Sequence, residues 1–165
     1  MDDRKGYRLL PNLENHKCFG CSPSNPSGLQ MKFYNKEESV FSWVTVPEHL
    51  CGWNNLAHGG AISAILDEIM GRTALYILNK LIMTKTMTVE FLKPILIGKE
   101  MKAEGKVLEY TNDREAIIEG FIYNEEGILC AKGTGTFALF TPEVLMKMGI
   151  MDDDLINDLK VLFSN

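Results

Sequence analysis

Long apolar runs are missing from this chain: none approaches the roughly 20 residues that a bilayer-spanning helix needs, so no membrane insertion is expected. The first eight residues, Met1 to Arg8, are polar and lack an apolar h-region, so no secretory signal is expected either. Excess positive charge is absent too. Lys and Arg number 17 against 22 Asp and Glu, a formal net charge of -5. That balance argues against a nucleic-acid partner held by broad positive charge, because phosphate binding wants clustered Lys and Arg. Cysteine is scarce and irregularly spaced, at Cys18, Cys21, Cys51 and Cys130. A disulfide scaffold is therefore not expected, and the expected location is cytoplasmic. Internal repeats and linker-like stretches are also missing, so residues 1–165 are expected to form one domain.

What is present is enough to build a core: 45% of the residues are hydrophobic and 24% charged. Residues 1–16 are mixed and polar, suited to an arm or a short helix. Residues 17–28 are dense in Gly, Pro, Ser and Asn and read as a loop of tight turns. Leu29, Met31 and Phe33 alternate with Gln30, Lys32 and Tyr34, which predicts a strand. A polar turn at 35–38 and a returning strand over Val40–Val46, stopped by Pro47, complete a hairpin.

From Ala57 to about Lys80 the period becomes helical. Ile62, Leu66, Ile69, Thr73 and Ile77 fall on one narrow stripe that should lie on a sheet. Strand patterns follow at 85–92, 100–110, 115–123 and 128–140, with a turn at Asn124–Gly127. A helical tail over 142–165 starts at Thr141-Pro142-Glu143, a sequence suited to an N-cap and an N1 proline. The order predicts an α+β fold with an antiparallel sheet curled around one long helix.

Chemistry concentrates at the start of that helix, His58-Gly59-Gly60. The first helical N–H groups lack intrahelical acceptors, and the helix dipole makes that end partly positive. Glycines let a ligand oxygen approach the amides, an arrangement suited to an oxyanion. The bland reading is a glycine turn that merely starts a helix. Two carboxylates follow. Asp67 shares a face with Ser63, Ala64, Gly71 and Ala74, all small, so another backbone or a ligand can come close there. Glu68 stands one turn before Arg72, which predicts a solvated ion pair. Gly59 and Asp67 are eight residues apart, roughly 12 Å along a helix. One carbonyl cannot touch both in a single chain, so a joint role requires a second subunit.

His58-Gly59-Gly60, with Asp67 nine residues after the His and then Gly71, resembles the hotdog-fold acyl-CoA thioesterases of the PaaI-like group. Cys18-Phe19-Gly20-Cys21 with Asn25-Pro26-Ser27-Gly28-Leu29 is similar to the leader of a subset near thioesterase-superfamily member 4. The resemblance covers roughly residues 16–140. It implies a hotdog fold and hydrolysis of acyl-CoA, with coenzyme A as part of the substrate and no further cofactor or metal. Asp67 takes the place of the nucleophile or general base, and the Gly59 N–H that of the carbonyl-polarising donor. His58 helps to shape the site, and Gly60 and Ser63 belong to the substrate-binding set. An upstream Asn, Asn54 or Asn55, assists, and a Thr on the strand after the helix completes the site, with Thr84, Thr86 and Thr88 as candidates. The site lies between two subunits of a homodimer or homotetramer.

Other readings remain open on the residues alone. They are a non-catalytic acyl-CoA binder, an acyl-CoA hydratase or dehydratase, and a metal or redox module at Cys18-x-x-Cys21. For the last, His16 offers a third ligand but no second Cys-x-x-Cys exists, so two locally packed thiols are expected. Cys51 and Cys130 are expected to be buried, His16 and His49 to be surface groups, and the methionines, Met83 and Met87 included, to fill the core. Lys93, Lys99, Lys132 and Arg114 are candidates to meet coenzyme A phosphates.

Overall fold

The computed structural model describes residues 4–14 and 16–163, so the ends of the expected arm and helical tail, 1–3 and 164–165, lie outside the described residues. Its centre is a 20-residue helix, α1 (Gly59–Leu78), ended by Asn79 in a left-handed conformation at φ 52°. Seven antiparallel strands form one sheet around it. They are β1 (Arg8–Leu9), β2 (Tyr34–Lys36), β3 (Ser39–Thr45), β4 (Leu81–Phe91), β5 (Glu100–Asn112), β6 (Glu115–Tyr123) and β7 (Leu129–Phe140). Their spatial order is β1-β2-β3-β5-β6-β7-β4, which is the expected α+β hotdog arrangement.

The helix buries a wider face than its narrow stripe. Ile62, Leu66, Ile69 and Thr73 are buried as the spacing predicts, joined by Ala61, Ile65, Met70 and Ala74. Ile77, near the end, is only half-buried. Burying each large apolar side chain is worth about 1.5–3 kcal/mol, which holds the helix in place. Close approach is permitted by a row of glycines in register across three strands, Gly105, Gly120 and Gly133. A Cβ on Gly105 would stand 2.1 Å from Thr73 Oγ1 and 2.9 Å from the Ile69 carbonyl oxygen. The strands feed the same core by alternation. In β6, Ala116, Ile118 and Ile122 are buried, and in β7 Phe137 and Leu139 are.

Two expectations change. Leu29, Met31 and Phe33 are buried as a strand's inward face would be, but 29–33 is not part of the ladder. Gln30 has φ 49°, and the amides of Leu29 and Met31 bond to the carbonyls of Phe19 and Gly20 in the preceding loop. The segment is thus pinned to the 17–28 loop, and the hairpin proper is β2–β3. The C-terminal tail forms two helices rather than one, α2 (Pro142–Lys147) and α3 (Asp153–Phe163). Pro142 occupies the first turn as expected, although Thr141 makes no side-chain cap bond. These helices bury Leu145, Leu159 and Leu162 with Leu81 in a second small core, at the far end of α1 from His58.

Candidate functional site

The chain is fixed tightly just before α1. Asn54 adopts φ 52° within a turn closed by the Leu56 N–H on the Trp53 carbonyl at 2.9 Å. Ala57 N–H then bonds Ile95 O at 2.8 Å, and His58 N–H bonds Leu50 O at 3.0 Å. His58 is the N-cap, and its Nδ1 accepts the Gly60 N–H at 2.9 Å. A histidine ring here does the work usually done by Ser or Asp. The Ala61 and Ile62 amides both reach the His58 carbonyl. Among the described residues, the Gly59 N–H is left without an acceptor, so His58 consumes the Gly60 donor and spares its neighbour. Gly59 borders a cavity of about 350 Å³, walled by Leu56, Ala57, Ile62, Phe91 and Ile95, with Lys93 also on its lining. Phe91 Cζ would lie 3.5 Å from a Cβ at position 59, so the ring covers the space the glycine leaves.

Asp67 lies on the small-residue face and is half-buried. That face is where β4 approaches: Ile82 Cδ1 would lie 3.2 Å from a Cβ on Gly71. The approach brings Thr84 Oγ1 to 2.7 Å from Asp67 Oδ1, donating to the carboxylate. Thr86 and Thr88 are not brought to it. A bulge at Lys85 shifts the register between Thr84 and Thr86. Thr84 pairs with buried Phe137 on the helix side, whereas past the bulge Met87 and Val89 pack on the core. Thr86 and Thr88 therefore alternate onto the opposite face of the sheet, although all three threonines are exposed. Ser63 is occupied locally, donating to the Gly59 carbonyl at 2.9 Å. Asn54 and Asn55 are exposed, and neither side chain makes a hydrogen bond among the described residues. Asp67 does not line the Gly59 cavity of its own chain. Among the basic candidates, Lys93 lies on that cavity, Lys99 pairs with Glu125, and Lys132 pairs with Glu90 at 3.0 Å. Arg114 lines a separate hollow near Lys80 and Val144.

Glu68 and Arg72 do pair, Arg72 Nε to Glu68 Oε1 at 3.6 Å, but not in open water. The 16–21 loop covers them: a Cβ on Gly20 would stand 2.4 Å from Glu68 Oε2, and Cys18 Sγ is 3.7 Å from the same oxygen. Phe33 stacks under the Arg72 guanidinium at 4.7 Å. The Cys21 thiol, donating to the Cys18 sulfur, holds the Cys18 pKa down to about 6. Burial and the Glu68 charge oppose that shift, and the backbone N–H groups of Cys21 and Gly20 assist it. The same thiol–sulfur bond and burial push Cys21 upward. Two further assignments change. Cys51 is exposed rather than buried, and His16 is not a free surface group, since its Nδ1 accepts the Cys18 N–H at 3.3 Å.

A profile of the thioesterase superfamily matches residues 54–131, which spans α1 and most of the sheet. A Thermoplasma acidophilum protein described as a candidate esterase, Ta0293, is 31% identical over 115 residues, 65% of this chain and 80% of that protein. The PaaI protein of the E. coli phenylacetic acid degradation operon superposes with a TM-score of 0.62 at 18% identity, covering 68% of this chain and 81% of that one. A Streptococcus pneumoniae protein described as a hypothetical thioesterase, solved with coenzyme A, superposes at 0.60 and 19% identity over 66% and 84%. The thioesterase-superfamily protein RHA08564 gives 0.64 at 23% identity over 70% of this chain, which spans 57% of that protein's length.

Proposed function

The chain belongs to the thioesterase superfamily, and from that premise we propose that it hydrolyses acyl-CoA thioesters to the free acid and coenzyme A. The observation that carries the reading is a matched pair of groups on α1. One is the unsatisfied Gly59 amide beside an apolar cavity, and the other is a carboxylate oriented by Thr84.

In this reading the thioester carbonyl oxygen accepts the Gly59 N–H, and His58 keeps the helix terminus in shape. Negative charge grows on that oxygen during attack, and one preorganised donor is worth about 3–4 kcal/mol there. Asp67 is the nucleophile, forming a mixed anhydride that water hydrolyses after the thiolate has left, or it is the general base that takes a proton from water as the hydroxyl adds to the carbonyl carbon. The C–S bond then breaks and coenzyme A leaves as a thiolate. A thiolate is a good leaving group, so no strong acid or metal ion is needed for that step. The apolar cavity suits an acyl chain, and Lys93 suits an anionic phosphate.

Gly59 and Asp67 sit eight residues apart on one straight element, roughly 12 Å. A single carbonyl reaches both only if the second comes from another copy, so the reading includes a homodimer, alone or within a tetramer. Strand β4 supports it. This strand carries Thr84, ends the sheet, and is paired only to β7 among the described residues, which leaves an 11-residue edge for a partner.

The test is release of coenzyme A thiol across acyl chain lengths by wild type and Asp67→Asn. The variant should lose nearly all turnover while its oligomeric state persists. An active Asp67→Asn protein, or wild type that binds acyl-CoA and releases no thiol at any chain length, would sink the assignment.

A further inference from the structure

The loop over the Glu68 face of α1 has no part in the proposed hydrolysis, yet it gathers metal-ligating side chains. One ligand atom each from His16, Cys18 and Cys21 lie within 4.8 Å of one another. Glu68 adds a fourth: its Oε2 is 3.7 Å from Cys18 Sγ. The sequence alone offers the first three and no fourth, because Glu68 is 47 residues beyond Cys21 and arrives only through the packing of α1.

A further observation points to a ligand. His16 Nδ1 is committed to the Cys18 amide, while its Nε2 is buried with no hydrogen-bond partner among the described residues. A buried polar atom left unpaired costs about 1–3 kcal/mol, and a bond to a metal removes that cost.

We propose that His16, Cys18, Cys21 and Glu68 form a structural zinc site that fastens the 16–21 loop onto α1. The donor set is two sulfurs, one imidazole nitrogen and one carboxylate oxygen, which suits a borderline-soft ion without a geometric preference of its own. Tetrahedral bonds of 2.0–2.3 Å place ligand atoms about 3.3–3.8 Å apart. The Cys18–Glu68 distance already matches such an edge, and metal binding would draw the His16, Cys18 and Cys21 atoms in from their 4.8 Å cluster and Glu68 in from just outside it. Charge balances as well. Two thiolates and a carboxylate carry -3, zinc +2 and Arg72 +1. Arg72 is in place to supply its share, with Nη2 3.1 Å from Cys21 Sγ and 2.6 Å from Asn12 Oδ1. All four positions are filled by protein, so the role is to hold the loop rather than to activate water. A Cys18–Cys21 disulfide would leave the buried His16 Nε2 unpaired, which favours the metal.

The experiment is metal analysis of the full chain, purified reduced from zinc-supplemented culture without chelator. One zinc per chain is expected, which a strong chelator removes. Titrating the stripped, reduced protein with cobalt(II) should give thiolate-to-metal charge-transfer bands and tetrahedral d–d absorption. The double variant Cys18→Ser/Cys21→Ser should take up neither metal. His16→Ala and Glu68→Gln should each weaken zinc affinity by more than about 10-fold, the lower bound for losing even an outer-shell partner. If the double variant fails to fold by circular dichroism, wild-type stoichiometry and the two single variants decide. Wild type that takes up no zinc when reduced, or single variants with unchanged affinity, overturns the site. So does a Cys18–Cys21 disulfide, read as the loss of two hydrogens in intact mass, in protein that ignores zinc. None of these readouts depends on thioester turnover.

Discussion

At the scale of single residues, one hydroxyl separates the candidates near Asp67. Thr84 donates to the carboxylate at 2.7 Å, while Thr86 and Thr88 stand on the other face of β4. Removing a donor to a charged acceptor costs about 1.5–3 kcal/mol, and the low end applies to an exposed pair such as this one. Thr84→Val should therefore lower kcat roughly 10-fold or more, with stability changed by no more than about 0.5 kcal/mol. Thr84→Ser should restore most of the rate. Thr86→Val and Thr88→Val should stay near wild type. Steady-state kinetics on all four variants decide it, and equal losses at positions 84 and 86 would contradict the assigned face. Sequence spacing alone singles out Asp67, because the small residues around it are visible there. It cannot choose among the three threonines, because the bulge at Lys85 inverts which of them face the helix, and no residue type announces that bulge. The fate of Glu68 was illegible for a similar reason. Its i, i+4 partner Arg72 is plain in the sequence, but the loop that covers both comes from 50 residues away.

At the scale of elements, the contact between α1 and the sheet depends on what is missing from the strands. Gly105 faces Thr73 and the Ile69 carbonyl so closely that a methyl group must displace backbone. Gly105→Ala is expected to destabilise the fold by about 1–3 kcal/mol, the usual cost of overpacking. Thr73→Ala on top of it should recover part of that loss, since it removes the 2.1 Å clash but leaves the 2.9 Å one. At Gly133 a Cβ would meet its nearest atom at 3.4 Å, an ordinary contact, so Gly133→Ala should cost less. Urea denaturation of the four proteins tests the ranking, and a Gly105→Ala midpoint equal to wild type would refute it. The helix and the four long strands were legible because each repeats its own period over many residues. Two features were not. Leu29, Met31 and Phe33 alternate because alternate side chains are buried, and burial alone does not require a ladder partner. The sheet order also escapes the sequence: β4 pairs with β7, three strands later, and no local pattern encodes that closure.

At the scale of the whole molecule, the proposed site makes a demand that one chain cannot meet. Gly59 and Asp67 are held roughly 12 Å apart by the rigidity of the helix that carries both. A two-fold dimer with the helices side by side supplies Gly59 from one copy and Asp67 from the other, twice. Two inactive variants should then rescue each other. Asp67→Asn removes the carboxylate. Gly59→Val fills the space beside the amide, where Phe91 is exposed enough to yield. Each homodimer is inactive. A mixed dimer has one site with both defects and one with neither. Random pairing of equal amounts makes half the dimers mixed, and half of their sites intact, so about a quarter of wild-type activity should return. Mixing folded dimers fails if exchange is slow, so the variants are co-expressed with different tags and the doubly tagged species is isolated. That species should show half of the wild-type rate per dimer. A doubly tagged dimer without activity would mean that both groups serve the same chain's substrate, or that one of them serves none.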